Sequence, residues 1–319
     1  MSEEFYGIAI RKKRNNDDLF WLNQNFLFEE VKFNISSRYW IADPFIVEEN
    51  GVLYAFYEMF DYFRGKGVIA YSIIDNYVAS KPVIVIEEDY HLSFPFIWNE
   101  NGKYYIMPES SAAKNLTIYE AKDFPGRWIK KKELLYDVAL CDSILFNTDI
   151  SRFILSSKID IDDPYFYCNV TNNLLRYNSD ESVENVRTLV KGDYGVRNAG
   201  AIIRYKNKIY RPGQISTNGI YGKGLAIWKL NSHFMDDECV FEGLYDKFLD
   251  HLLLKEIDKK SVAGVHTYNI SENYEVIDIK YKKYLNKKEL LRNKIGALPY
   301  KIAFHLKKIT KNQESYEHE

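Results

Sequence analysis

The sequence predicts an all-β fold, a five-bladed β-propeller with a short helical C-terminal tail, and three observations predict it. Five times along the 319 residues a small or acidic residue opening an apolar run is followed, after a turn, by an aromatic-rich strand. These units recur at roughly fifty to sixty residues, the period of a propeller blade and not of a helical solenoid. Aromatic residues make up 16% of the chain, with Tyr 26, Phe 19 and Trp 5. Such a content suits pleated strand surfaces first and sugar-stacking clefts second.

The first unit joins Ile41-Ala42-Asp43-Pro44-Phe45-Ile46-Val47 to Tyr54-Ala55-Phe56-Tyr57. The second joins His91-Leu92-Ser93-Phe94-Pro95-Phe96 to Tyr104-Tyr105-Ile106-Met107-Pro108-Glu109. Cys141-Asp142-Ser143 before Phe153, Arg197-Asn198-Ala199-Gly200 before Tyr210-Arg211, and Gly264-Val265-His266 before Tyr274 complete the set. Breaks at Glu49-Asn50-Gly51, at Asn101-Gly102 and at Tyr205 to Lys208 read as hairpin turns inside blades. The polar stretch Asn178 to Asn185 reads as a loop between the third and fourth blades. Leu244, Phe248 and Leu252 share one face of a short helix. In the tail, Leu285, Leu290, Leu291, Ile295, Leu298, Ile302 and Leu306 follow helical spacing, and Gly296 and Pro299 divide them into two short helices. The expected division is therefore a propeller over 1–280 and a basic amphipathic tail over 281–319.

Charge and cysteine content narrow the function classes. Net charge is −2, yet eleven Lys or Arg between Lys280 and Lys311 face the single Glu289, so the body is acidic. An acidic body fits nucleic acid poorly, and the tail is the one surface suited to an anionic bilayer. Cys141, Cys168 and Cys239 neither complete a disulfide framework nor show zinc spacing, so a reducing compartment is expected. The acidic N-terminus is unlike a secretory signal, and no run is apolar and long enough to span a bilayer, which together predict a cytoplasmic protein. Glycine-rich phosphate loops and nucleophile-elbow motifs are missing, so no cofactor is expected. The run Asp160-Ile161-Asp162-Asp163 imitates a metal-carrying acidic motif, but it reads better as a solvated turn, and no metal is expected.

In a propeller the innermost strands converge on one mouth, so strand openers far apart in sequence meet there. The openers are Asp43, His91 with Ser93, Asp142 with Ser143, Arg197 with Asn198, and His266. Asp43, Asp142 and Glu109 are the candidate catalytic carboxylates, and Glu109 ends an apolar strand where burial would raise its pKa. His91, Ser93, Arg197, Asn198, Arg211, Gln214, Tyr221 and His266 are the candidate substrate-binding residues. Arg211 offers a fork suited to phosphate or carboxylate.

The strings His91 to Phe96, Tyr105 to Ser110, Phe124-Pro125-Gly126-Arg127-Trp128, Tyr210 to Gln214, Tyr221-Gly222 and Gly264 to Asn269 carry a resemblance. Over about Asp43 to Asp278 the chain resembles the N-terminal propeller domain of glucosamine inositolphosphorylceramide transferases and their relatives in bacterial polysaccharide gene clusters. More distantly it resembles the five-bladed furanosidase clan of arabinanases, fructosidases and levansucrases, whose first-blade aspartate in an Asp-Pro context matches Asp43. The first resemblance implies a glycosyltransferase of capsule or O-antigen assembly. Such an enzyme would move a sugar, a furanose if the clan is a guide, from a nucleotide- or phosphate-activated donor to a glycan acceptor. A lipid-linked acceptor and peripheral contact of the tail with the inner membrane face are implied as well. Asp43 would be base or nucleophile, Glu109 or Asp142 would tune protons, and Arg211 with His266 would hold the phosphate. Because the fourth unit carries Arg211 and Gln214 where the clan has an acid, hydrolysis is the second reading. A non-catalytic glycan-binding propeller is the third.

Overall fold

The computed structural model describes residues 2–148, 151–159 and 168–299. Its hairpins begin at the Asn-Gly pairs. Asn50 and Gly51 both have positive φ, 51° and 77°, and Asn101 and Gly102 repeat the pattern at 53° and 78°. Two consecutive left-handed residues make the turn whose twist matches that of the flanking strands. Accordingly Tyr39–Glu49 pairs with Val52–Asp61, and Ser93–Glu100 with Lys103–Glu109. Lys206 and Asn207, at 46° and 61°, serve the same purpose between Ile203–Tyr205 and Lys208–Thr217.

Five antiparallel sheets result, and each is a blade. The first continues from Val52–Asp61 to Lys66–Asp75 and an edge of Val78–Ala79 and Val83–Ile86. The second continues to Leu116–Asp123 and Arg127–Leu135, and the third runs through Leu140–Asn147, Arg152–Lys158, Val170–Tyr177 and Val183–Gly192. The fourth comprises Tyr194–Asn198, Ile203–Tyr205, Lys208–Thr217, Ile220–Leu230 and Asp236–Leu244. The segment after Tyr177 corrects the sequence reading. Asn178 to Ser182 is a hairpin inside the third blade, closed by an Asn178 N–H bond to Ser182 O at 2.9 Å, and not a connection between blades. Its polarity belongs to the exposed edge strand that follows, where charge discourages pairing with other chains.

The fifth blade is built from both ends of the chain. Val262–Gly264 and Tyr268–Ile270 pair with Tyr274–Tyr284, which pairs in turn with Ser2–Lys12 from Ser2↔Tyr284 to Lys12↔Tyr274. Glu29–Glu30 adds the outer edge. This last long strand runs past residue 280 to Tyr284.

Apolar clusters lie between neighbouring blades. Phe56, Ile69, Leu92 and Ile106 join the first blade to the second, and Ile8, Ile41, Tyr57 and Val276 join the fifth to the first. Near the closure, Phe20 and Phe28 pack with Phe241, Phe248 and Tyr268. Burying each such ring contributes about 2 to 3 kcal/mol. Of the predicted helical face near residue 248, Phe248 and Leu252 are fully buried, while Leu244 stays at the end of a strand. The tail forms one helix over 287–299 that continues through Gly296, where the backbone lies against the Phe63 ring. Ile302, Leu306 and the rest of the second predicted helix lie outside the described residues, as do Asp160, Asp162 and Asp163. Among the described residues no helix is long and apolar enough to cross a membrane.

Candidate active site

The innermost strands of the first three blades are bulged at the same place, between Ala42 and Phe45, Ser93 and Phe96, and Cys141 and Ile144. Asp43, Phe94 and Asp142 occupy these bulges with φ of 53°, 42° and 48°. A bulge re-aims the side chain it carries, and left-handed backbone at a residue other than glycine is a local cost that tertiary contacts must hold.

Two charge clusters meet at the bulges. In the first, His266 lies between two carboxylates, with Nε2 3.2 Å from Asp43 Oδ1 and Nδ1 2.8 Å from Asp278 Oδ2. Asp278 Oδ1 also accepts the backbone N–H groups of His266 and Thr267, each at 3.0 Å. Burial alone would lower the imidazole's pKa, but Asp278 and then Asp43 raise it to about 10. His266 is therefore protonated at neutral pH. Burial pushes Asp43 up against the pull of His266, whereas His266 and the two amides hold Asp278 down despite its burial.

The second cluster is centred on Arg197, which donates through Nε to Asp142 Oδ2 and through Nη2 to Glu109 Oε2 at 3.2 Å. Gln214 adds a 2.9 Å bond to Asp142 Oδ2, and Asn198 donates to the Asp142 carbonyl at 2.8 Å. Ser111 donates to Glu109 Oε1 at 2.7 Å. Burial, reinforced by the Glu109 charge and opposed by Arg197, raises Asp142 to about 7.

Above these clusters opens a cavity of about 890 Å³. Tyr6, Trp40, Phe60, Tyr62 and Tyr221 form its aromatic wall, with Trp40 and Phe60 stacked at 4.7 Å and 8°. Glu3, Glu4, Glu58, Glu109, His91, Ser93, Arg197 and Lys280 supply the polar lining. Flat rings opposite carboxyl groups form a surface on which a sugar ring can stack while its hydroxyls are bonded. Asp43, Asp142 and His266 lie beneath this lining, buried. Their positions make them a charged floor under Glu109 and Arg197.

Two sets of three donor atoms, those of Asp43, His266 and Asp278 and those of Glu109, Cys141 and Asp142, each gather within 4.8 Å. Neither suits a metal well. His266 is held protonated, and the Cys141 thiol is pushed up by burial and donates to Ser157 O. Arg197 already supplies the positive charge that Glu109 and Asp142 need.

Residues 28–238 match the family described as "Glucosamine inositolphosphorylceramide transferase 1, N-terminal". The chain belongs to that family. Among curated relatives it is 30% identical over 199 residues to "Glucosamine inositolphosphorylceramide transferase 1" of Arabidopsis thaliana, covering 60% of this chain and 25% of the relative. To the protein of the same description from Oryza sativa subsp. indica it is 28% identical over 201 residues, covering 60% of this chain and 26% of the relative. The chain thus spans about a quarter of the length of the curated relatives it matches. Among solved structures it is similar to the catalytic domain of a GH62 α-L-arabinofuranosidase from Coprinopsis cinerea. That similarity has TM-score 0.58 at 11% identity and covers 79% of this chain and 94% of that one. A family 117 glycoside hydrolase from Zobellia galactanivorans gives TM-score 0.52 at 11% identity over 87% and 90% of the two chains. At such identity the likeness shows the fold alone, a five-bladed propeller.

The fold brings eight of the eleven predicted residues to the mouth or just beneath it, and Gln214 and Asn198 brace Asp142. Arg211 is a correction. Its guanidinium is buried and bonded to Asp236 at 2.6 and 3.0 Å, to the Gly195 carbonyl at 2.6 Å and to the Val196 carbonyl at 3.2 Å. It braces the fourth blade and is not part of the lining of the mouth; its neighbour in the sequence string, Gln214, is the one that reaches the floor. Sequence reasoning missed Glu58, Lys280 and Asp278. Glu58 had a legible signal, because it follows the hairpin glycine Gly51 at the same interval by which Glu109 follows Gly102.

Proposed function

We propose that the protein is a glycosyltransferase that moves a sugar from an activated donor to a glycan acceptor in bacterial surface-polysaccharide assembly, capsule or O-antigen. The observation that carries this reading is the aromatic-walled cavity whose lining places Glu109 and Arg197 side by side, in a chain whose family is named for a sugar transferase. Glu109 is the carboxylate best placed to take the proton of an acceptor hydroxyl, since it lines the cavity and its position is held by Arg197 and Ser111. Arg197 and Lys280 are the cations a nucleotide or phosphate donor would meet. Each is now paired with a carboxylate, Lys280 with Glu4 at 2.9 Å, so a donor phosphate would exchange for Glu109 or Glu4. The fold, shared with furanose-cleaving enzymes, favours a furanose as the transferred unit. The acidic body and basic tail fit a cytoplasmic protein held at the inner membrane face, where a lipid-linked acceptor would lie.

The test is release of nucleotide or phosphate from a panel of sugar nucleotides, with and without a lipid-linked acceptor. Glu109→Gln is expected to lower turnover by at least about a hundredfold, the low end for losing a proton-transfer group. Asp43→Asn is expected to lower it less, because Asp43 acts through His266. Turnover should also fall as pH rises through about 7, where Asp142 ionises and competes for Arg197, and Asp142→Asn should flatten that limb. The excess of carboxyl groups at the mouth favours hydrolysis as the second reading. Cleavage of aryl furanosides without any acceptor would establish it, and binding without turnover of any donor would leave a recognition module.

A further inference from the structure

Glu58 and Glu109 occupy equivalent places on the second strands of their blades, opposite Ala42 and Ser93. Their surroundings differ. Glu109 is bonded by Ser111 and Arg197. Glu58 is 4% exposed, its Oε1 is buried without a hydrogen-bond partner, and it lines the cavity. His91 faces it, with Nε2 3.6 Å from Oε1, beyond hydrogen-bond length.

The pocket for this carboxyl is built. A β-carbon on Gly67 would collide with Glu58 Oε1 and with the Leu92 carbonyl, so only glycine admits Glu58 in this position. The same glycine donates its N–H to His91 Nδ1 at 2.9 Å. With Nδ1 accepting, a neutral His91 carries its proton on Nε2, facing Glu58. Burying a carboxylate with no bonded donor is costly, and the cost is relieved by keeping the proton. The groups that face Glu58 act in the same sense. Asp43 on its own blade, Glu109 on the second and Asp278 on the fifth add negative charge, and His266 opposes them. Burial also depresses His91, to about 4, so the facing imidazole is neutral.

We propose that Glu58 is a neutral carboxylic acid that donates a hydrogen bond to a hydroxyl or ring oxygen of the bound sugar, making it a substrate-binding residue of the mouth beside Glu109. The inference rests on the carbohydrate reading for the identity of the ligand, and on geometry for the protonated state. Its role is the reverse of Glu109's: one carboxyl gives a hydrogen bond while the other accepts.

Two measurements on the full chain test it. The infrared difference spectrum of wild type minus Glu58→Gln at neutral pH, recorded in an Asp142→Asn background so that Asp142 adds no band, should show the carbonyl stretch of a protonated carboxylic acid. A difference spectrum without that band overturns the proposal whatever the ligand. In calorimetry against methyl furanosides and methyl pyranosides, Glu58→Gln, which keeps a donor, should bind within a few-fold of wild type. Glu58→Leu should lose about tenfold, the worth of one hydrogen bond left unmade. Wild-type affinity should decline as rising pH ionises Glu58, and Glu58→Gln should lack that decline. Equal affinity of the Leu and wild-type proteins would overturn the sugar contact. If no glycoside binds the wild type while the infrared band is present, the carbohydrate reading fails and the protonated state stands.

Discussion

His266 shows how the floor of the mouth links chemistry to stability. Its folded pKa of about 10 exceeds the ordinary 6.5, so its two ion pairs stabilise the fold fully below about pH 6.5, and that contribution drains away as pH rises towards 10. Asp278 works in the opposite sense. Held below its ordinary 3.8, it stabilises above that value and loses its contribution as the solution becomes strongly acidic. Arg211 belongs to the same class of buried, fully bonded charge. Arg211→Ala is expected to cost about 3 kcal/mol, because it strands Asp236 and two backbone carbonyls, and to leave the affinity for any donor that still binds within about twofold. Chemical denaturation checks the first figure and calorimetry the second. The contrast between Arg211 and Arg197 explains what the sequence could and could not reveal at this scale. Both belong to strands of the fourth repeat, and a string of residues gives no hint that Asp236 lies within reach of one and Glu109 of the other. Glu58, by comparison, was legible from repeat position alone, since counting from the hairpin glycine aligns it with Glu109.

At the scale of elements, the strands and their turns were readable because local chemistry dictates them. Asn-Gly pairs impose two left-handed residues, and alternating aromatic runs then pair across them. The stretch beginning at Asn178 was misread because polarity marks an exposed edge strand as well as a loop. The tail helix over 287–299 has an exposed apolar face of Leu291, Ile295 and Leu298, and Lys287, Lys288, Arg292 and Lys294 on the same helix. That combination suits an anionic bilayer surface. Its contact with Phe63 places it next to Tyr62, a lining residue of the mouth. Removing residues 286–319 is expected to leave the propeller's circular dichroism and melting intact while weakening sedimentation with phosphatidylserine vesicles, and salt should weaken what binding remains. Equal sedimentation of the two proteins would remove the tail from any membrane role.

For the molecule as a whole, the decisive pairing was the one no local pattern announces. Ser2–Lys12 carries apolar residues, Phe5, Ile8 and Ile10 among them, but its partner lies about 270 residues on, and such contacts cost more loop entropy to form than any hairpin. A protein lacking residues 1–12 is therefore expected to be unfolded or aggregated at temperatures where the tail-deleted protein still melts cooperatively. A cooperative melt of the truncated protein within a few degrees of the full chain would refute that. The seam between these two strands also contributes to the mouth, with Glu3, Glu4 and Tyr6 on one side and Lys280 on the other, bridged by the Glu4–Lys280 ion pair. During synthesis the pocket consequently does not exist until the strand Tyr274–Tyr284 has left the ribosome. Once it does, a ligand touching both sides behaves as a clasp, so saturating amounts should slow the parting of the chain ends and protect Tyr6 and Lys280 from amide exchange more than residues in the middle blades.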